Sequence, residues 1–489
     1  MSSKFKDLIF YEIYPTSFYD SNGDGIGDLN GINEKLDYVK DLGCNAIWLN
    51  PFYSSPFKDG GYDVKDFFKV DEKFGTNEDF KNLATKAHKL GIKVIVDLVI
   101  GHSSEENEEF LKSASPYKNE NSDLFIWTDS VWSFEPNIRL LNGRFPRDGA
   151  YMVNFFAMQP AFNYGFNKIT NPKWQMSYKD ERTFKARNYM LKVMKFWLDL
   201  GCDGFRVDIA DYLVKNDDTK EGTIEVWKYL FSKIRKDYPD AYFVSEWSSP
   251  DKALFAGFDA DFVLDHNNNF INLLGRNQEK MIVKGNPREQ FIKDLLWRQE
   301  NANKYNGVLA PISGNHDSRR VATSLNEKEL QLVYMILLSL PGNPFIYYGD
   351  EIGMVQSELI SKDGGYQRTG ARTPMQWDDS PNAGFSSTKG ELYLPVFKGN
   401  KNNLKDEMND PSSIYHFIKK LIRIRKENDD LRSSYLDVKD KDDILTIIRG
   451  QTKLIINFSK KDLSLEGKEI IFTNSKGNIL KPFEAALIK

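Results

Sequence analysis

Short apolar runs recur along the chain, and several of them close on an acid or a histidine. Val94-Ile-Val-Asp97-Leu-Val-Ile-Gly-His102, Gly204-Phe-Arg206-Val-Asp208, Ala241-Tyr-Phe-Val-Ser-Glu246 and Val308-Leu-Ala-Pro-Ile-Ser-Gly-Asn-His316-Asp317 share this form. Leu8–Tyr14, Asn45–Pro51, Asp259–Asp265 and Asn343–Glu351 add four more strand-like runs. Between them the apolar spacing turns helical: Leu36, Val39 and Leu42, then 77–90, 188–200, 227–234 and 412–427. Strands alternating with helices predict a parallel sheet. Acids gathered at strand C-terminal ends suit the rim of a (β/α)8 TIM barrel, where such folds place their active sites.

Two stretches break the alternation. From Ser103 to Thr170 the periodicity dissolves into aromatic and polar residues, Trp127, Trp132, Tyr151, Phe155 and Phe156 among them. A stretch this long within a compact domain is a functional loop or a small subdomain. After 430 the runs Ile444-Leu-Thr-Ile-Ile, Lys453-Leu-Ile-Ile-Asn-Phe and Glu469-Ile-Ile-Phe-Thr predict a small antiparallel β-sandwich. The expected division is therefore a barrel of 1–102 and 171–430, an insertion of 103–170 and a C-terminal domain of 431–489.

The chemistry begins with Arg206 and Asp208, which a strand places on one face. Burying an unpaired charge costs more than a strand gains. The pair is thus either a structural ion pair or a carboxylate kept ionised, and nucleophilic, by a guanidinium. Composition narrows the field. Lys plus Arg number 66 against 70 Asp plus Glu, a formal net charge of -4, so no basic footprint for nucleic acid exists. No apolar run suits a membrane span and the first residues lack a leader's apolar segment, so a cytoplasmic monomer is expected. The two cysteines, Cys44 and Cys202, read as buried free thiols. Five histidines without a close pair argue against a metal hydrolase.

Near the N-terminus, Asp20-Ser-Asn22-Gly-Asp24-Gly-Ile26-Gly-Asp28 alternates oxygen-bearing side chains around glycines. It is no EF-hand, because position 12 is Gly31 rather than Glu. It reads either as an Asx-rich turn before a helix or as a metal loop.

Taken together, Asp97 to His102, Gly-Phe-Arg206-Val-Asp208, Ser-Glu246-Trp and Asn-His316-Asp317 resemble, in order, the four signature regions of the α-amylase family of retaining α-glycosidases. The resemblance covers nearly the whole chain. It implies Asp208 as nucleophile, Glu246 as acid/base and Asp317 as a third carboxylate gripping sugar hydroxyls. It also implies that Tyr62 stacks on the sugar at the cleavage site, with Asp63, His102, Arg206, His316 and Arg372 as its polar contacts. The 103–170 stretch becomes the family's B domain. The early loop resembles the metal loop of α-glucosidase-like members, which implies Ca²⁺ held by Asp20, Asn22, Asp24, the Ile26 carbonyl and Asp28. Three departures stand out. Gly101 replaces an Asn that supports a second calcium site. Ala161 replaces an acid in the Gln159-Pro-Ala-Phe-Asn segment that sorts subfamilies. Ile209, beside the nucleophile, is bulky like the Val of α-1,6-acting members, yet its neighbours follow neither linkage class.

Retaining hydrolysis needs one ionised and one protonated carboxyl about 5–5.5 Å apart. Arg206 would keep Asp208 ionised, and the apolar run ending at Trp247 would raise Glu246. The expected activity is amylase-type cleavage of α-1,4 bonds in malto-oligosaccharides and other α-glucans. The alternatives are an exo-acting α-glucosidase or oligo-1,6-glucosidase, a trehalose-forming or sucrose-acting transglycosylase, and a non-catalytic sugar-binding homologue.

Overall fold

The computed structural model describes residues 7–266, 268–359, 362, 366–399 and 403–489. Of the N-terminal segment read above for a leader, residues 1–6 lie outside them. Each apolar run becomes a short buried strand: β1 (Phe10–Ile13), β2 (Ala46–Leu49), β3 (Lys93–Leu98), β4 (Gly204–Val207), β5 (Tyr242–Ser245), β6 (Ala260–Val263), β7 (Val308–Pro311) and β8 (Phe345–Tyr347). They pair in parallel in the order β7-β6-β5-β4-β3-β2-β1-β8. Ile312 bridges Phe345, and the Ser313 N–H donates to the Phe345 carbonyl at 2.9 Å, so the two ends meet and the sheet closes into a barrel.

Among the described residues a helix follows each barrel strand in the chain: α1 (Leu29–Leu42), α2 (Asn77–Lys89), α3 (Phe184–Asp199), α4 (Glu221–Asp237), α5 (Pro250–Ala256), α6 (Arg288–Lys304), α7 (Glu327–Ser339) and α8 (Ile414–Glu427). Local chemistry sets their ends. Thr76 and Asp79 form a capping box at the start of α2, and α1 runs from the Asp28 cap to Gly43 in the left-handed region. Inside the barrel, aromatic rings fill the lower layers. Phe10 stacks on Phe345 at 4.1 Å, and Phe262 lies 4.8 Å from Phe345 and 5.5 Å from Trp48. Charged inward residues therefore collect only above this aromatic floor, at the strand C-terminal ends.

The 103–170 stretch is not shapeless. It carries a short antiparallel pair, Leu140–Leu141 with Tyr151–Met152, and packs Trp127, Phe125, Phe145 and Tyr151 around Phe110. Trp132, by contrast, is exposed. At the C-terminus β9 (Asp437–Lys441), β10 (Ile444–Arg449), β11 (Thr452–Asn457), β12 (Ile470–Thr473) and β13 (Glu484–Ile488) form an antiparallel sheet ordered β9-β10-β11-β13-β12. A two-stranded pair, Leu463–Ser464 with Ile479–Leu480, packs on it through Leu465, Leu480, Ala486 and Ile488. The sequence pattern located β10, β11 and β12; the mostly polar β9 and β13, whose run Glu-Ala-Ala-Leu-Ile holds two alanines and no alternation, did not stand out. Cys44 and Cys202 are buried and free, as expected.

The start of β4 tolerates no side chain. A Cβ on Gly204 would sit 2.0 Å from the Tyr242 carbonyl oxygen of β5. Gly204→Ala is therefore expected to cost about 3 kcal/mol or more by urea denaturation, and a loss well under 1 kcal/mol would contradict this account of the β4–β5 contact.

Candidate active site

At the C-terminal rim one guanidinium joins three carboxylates. Arg206 is 1% exposed. Its Nη1 donates to Asp97 Oδ1 at 2.7 Å and to Asp208 Oδ1 at 2.9 Å, and its Nη2 lies 2.6 Å from Glu246 Oε1. The alternation of β4 aims Arg206 and Asp208 inward together, β3 supplies Asp97, and Glu246 follows β5 directly. Asp97 is held in turn by the Trp48 indole N–H at 2.8 Å and the Tyr62 hydroxyl at 3.2 Å. Ile209, a β-branched residue with φ at 42°, donates its N–H to Glu246 Oε2 at 2.9 Å. Such a backbone conformation is strained for a β-branched residue, and the hydrogen bond helps to hold it.

This arrangement corrects the expected division of charge. Burial first, and then the charge of Glu246, push Asp208 well above the usual carboxylate range against the pull of Arg206. Burial likewise raises Glu246, again opposed by Arg206. Arg206 therefore does not single out Asp208, and no contact with Trp247 is needed to raise Glu246. The two carboxyls share one cation and titrate as a pair that retains a proton.

A second network surrounds Asp317, just beyond β7. His316 lies 3.1 Å from Asp317 Oδ2 through Nε2 and 2.9 Å from Glu12 Oε1 through Nδ1. Arg372 and Arg368 each donate to Asp317 Oδ1 at 2.8 Å. Burial alone would raise Asp317, but His316 and the two arginines hold it well below its usual range. Burial alone would lower His316; Asp317 and Glu12 instead hold it up at about 9. Sequence reasoning missed Glu12, whose signal was an acid at an inward position of the first strand.

Between the networks lies a cavity of about 240 Å³. Asp208, Glu246, Asp317, Tyr62, His102 and Ile209 line it, with Asp59, Gln159, Arg368, Phe155 and Phe156 completing the wall. The three expected carboxylates thus meet in one place, and Tyr62 and His102 face them. Four other expected sugar contacts do not line this cavity. Arg206 and His316 are buried behind the carboxylates. Arg372, also buried, braces Asp317 and donates through Nε to the His316 carbonyl at 2.9 Å. Asp63 turns away to fold its own loop, accepting the N–H groups of Lys58 and Asp59 at 3.0 and 3.1 Å. Their places are taken by Asp59 and Arg368, four residues before each expected one, paired at 2.5 Å, with Gln159 donating to Asp59 at 2.7 Å. A second cavity of about 320 Å³ shares Ile209 and Phe155 with the first and is lined by Arg139, Asp211 and Tyr212. A wider cavity of about 770 Å³ between α1, α8 and β12 contains none of these groups.

The Asp20–Asp28 loop follows β1 and contributes nothing to the cavity. Its donors are all oxygen, which suits a hard cation. Here Asp20 accepts from the N–H groups of Gly23 at 2.7 Å and Gly25 at 2.8 Å, and from the Ser386 hydroxyl at 2.6 Å. Asp24 accepts from the Ile26 N–H at 2.9 Å, Asn22 from the Asp24 N–H at 2.9 Å, and Asp28 caps α1. Among the described residues no three His, Cys, Asp or Glu side chains converge as a metal cluster. No helix among them is long and apolar enough to cross a membrane.

Known proteins bear on this geometry. Residues 12–434 match the α-amylase catalytic domain family. The oligo-1,6-glucosidase of Parageobacillus thermoglucosidasius is 30% identical, the alignment covering 99% of this chain and 98% of that protein. The trehalose synthase/amylase TreS of Mycolicibacterium smegmatis is 32% identical over 87% of this chain and 76% of its own. Among solved structures, an isomaltulose synthase mutant from Erwinia rhapontici in complex with sucrose superposes with a TM-score of 0.82 at 26% identity, covering 100% of this chain and 99% of that one.

His102 gives the site a readable acid limb. Burial pushes its pKa down to about 3. An unfolded imidazole takes up a proton below about 6.5, so stability is fully present above that value and is lost as pH falls toward 3. Between pH 7 and about 4.5 the His102 share of the loss is about 2–3 kcal/mol. Urea unfolding of His102→Gln should show an acid-side decline smaller than wild type by that amount; parallel declines would place the imidazole in solvent.

Proposed function

The chain belongs to the α-amylase family of glycosidases, and we propose that it is an exo-acting α-glucosidase removing single glucosyl units from the non-reducing end of short oligosaccharides, with α-1,6 linkages preferred. The observation that carries this reading is the Asp59–Arg368 ion pair, tied to Gln159 and to Asp317. It walls a cavity with room for one sugar ring, whereas an endo-acting amylase needs a cleft that lets the glucan chain continue past that ring. This replaces the amylase-type cleavage expected from the motifs alone. The α-1,6 preference is supported by the bulky Ile209 at the junction of the two cavities and by the oligo-1,6-glucosidase that matches end to end. The protein would act as a cytoplasmic monomer, the glucosyl unit in the inner cavity and the leaving sugar in the outer one.

In the first step Glu246 gives its proton to the glycosidic oxygen while Asp208 attacks C1. The bond to the leaving sugar breaks and a glucosyl ester forms. In the second step Glu246, now a carboxylate, takes a proton from water. The hydroxyl attacks C1 from the vacated side, Asp208 departs and the α-configuration returns. Arg206 serves both steps. The proton retained by the Asp208–Glu246 pair is the one the leaving oxygen needs, and the guanidinium receives the Asp208 carboxylate again at the end. Asp317, kept ionised by His316, Arg368 and Arg372, accepts hydrogen bonds from the ring hydroxyls, with Asp59 and Arg368 holding the non-reducing end.

Product analysis by NMR tests the reading. Isomaltotriose is expected to release α-glucose and isomaltose first, faster than maltotetraose releases glucose. Early maltose without glucose from maltotetraose would restore the endo-acting alternative, and products longer than the substrate would make it a transglycosylase. Asp208→Asn and Glu246→Gln should keep wild-type circular dichroism and lose about a thousandfold or more in kcat; near-normal turnover in either sinks the assignment.

The proposal extends to a structural Ca²⁺ held by Asp20, Asn22, Asp24, the Ile26 carbonyl and Asp28. Its role is to tie the loop after β1 to the start of α1. Calcium should raise Tm and chelation lower it, and Asp24→Ala should abolish the difference. A Tm indifferent to calcium would leave the loop as a turn closed by its own N–H groups.

A further inference from the structure

Lys215, on the loop that follows β4, is 1% exposed. Among the described residues no carboxylate forms an ion pair with it; Asp211, the acid on its own loop, pairs with Lys220 at 3.1 Å. Its ammonium donates to the Tyr212 carbonyl at 2.6 Å and to Asn154 Oδ1 at 3.0 Å, and lies 3.8 Å above the Tyr212 ring. Burying a cation against neutral partners is costly, so what this one organises is informative.

An ammonium can only donate. Bonded to Lys215, the Asn154 amide must present its oxygen there and its NH2 group elsewhere. That NH2 donates to the Gly101 carbonyl at 2.9 Å and faces His102 Nδ1 at 3.3 Å. Nδ1 must then accept, which puts the imidazole proton on Nε2, and Nε2 lies 3.1 Å from the Tyr62 carbonyl, ready to donate to it. The chain of consequences starts at a charge outside the cavity wall and ends at two residues, His102 and Tyr62, that line it.

We infer that Lys215 is a positioning residue for the glucosyl pocket: acting through the Asn154 amide, it fixes His102 as the neutral Nε2–H tautomer and holds it against Tyr62. The inference rests on the reading of that cavity as the glucosyl site. Burial also pulls the Lys215 pKa down to about 7, with Asp211 opposing and Lys220 adding to the fall. The other titratable groups facing it are Tyr212 and His102. Deprotonated, the amine can accept as well as donate, and the orientation of the amide then rests on the Gly101 carbonyl alone.

The test pairs Lys215→Met with Asn154→Asp. In protein labelled with ¹⁵N-histidine, with His102 assigned by loss of its signals in His102→Gln, wild type at about pH 6 should show a neutral Nε2–H ring. Lys215→Met should show mixed tautomers. Asn154→Asp, which leaves Lys215 an oxygen partner but removes the amide donor, should move the proton to Nδ1. On isomaltotriose, Lys215→Met should raise KM about tenfold with kcat within about threefold. The wild-type KM should climb between about pH 6 and 8.5 while that of the variant stays flat. Folded variants whose His102 signals match wild type overturn the inference, as does a normal KM. If wild type cleaves no glucoside, the functional reading fails, and the NMR result still judges Lys215.

Discussion

A single buried guanidinium holding three carboxylates is the constraint around which the rim is built. Arg206 reaches Asp97 on β3, Asp208 beyond β4 and Glu246 beyond β5, so three neighbouring strands converge on one cation. Removing such a partner leaves uncompensated buried charge, at a cost of about 3–5 kcal/mol. Burial and the same excess of carboxylate over cation favour the protonated forms of Asp208 and Glu246. The stability of the rim and its chemistry thus have one electrostatic origin. Beneath this charged layer the rings of Phe10, Phe345, Phe262 and Trp48 pack against one another inside the barrel.

Across the cavity the balance is reversed. Asp317 meets His316, Arg368 and Arg372 and stays ionised. Protonation is thus favoured at Asp208 and Glu246 and opposed at Asp317, which is also the more exposed, with 31% of its side chain accessible against 7% for Asp208. Burial raises all three, and it is overcome only at Asp317, where one histidine and two arginines meet a single carboxylate. Glu12 adds to this by holding His316 protonated from behind, which lets a residue of β1 act on a carboxylate beyond β7.

Much of this was legible along the chain because it is periodic or local. The eight strand runs, their parallel order and the acids at their ends follow from spacing, and the structure places Asp208, Glu246 and Asp317 together as the motifs imply. The failures are equally specific. Asp63 and Arg372 stood in the recognisable motifs, yet their side chains turn inward to fold a loop and to brace Asp317. The residues that line the cavity are Asp59 and Arg368, each four positions earlier, in stretches with no pattern of their own. The 103–170 stretch looked featureless because its core is a cluster of aromatics around Phe110, a contact pattern that has no period.

By itself the sequence determined the barrel and its closing β-sheet domain, since alternation and helical spacing dictate which side chains face inward and at which end of a strand they lie; the three carboxylates were singled out by resemblance to the family's motifs. Tertiary structure alone decided how charge is shared among them, which arginine reaches the cavity, and that one end of the cavity is walled by Asp59 and Arg368. Those features depend on distances of 3 Å or less between residues as far apart as |i−j| = 309 in the chain. Electrostatic energy and shape are set by such distances through space, and no local pattern of apolar and polar residues encodes them.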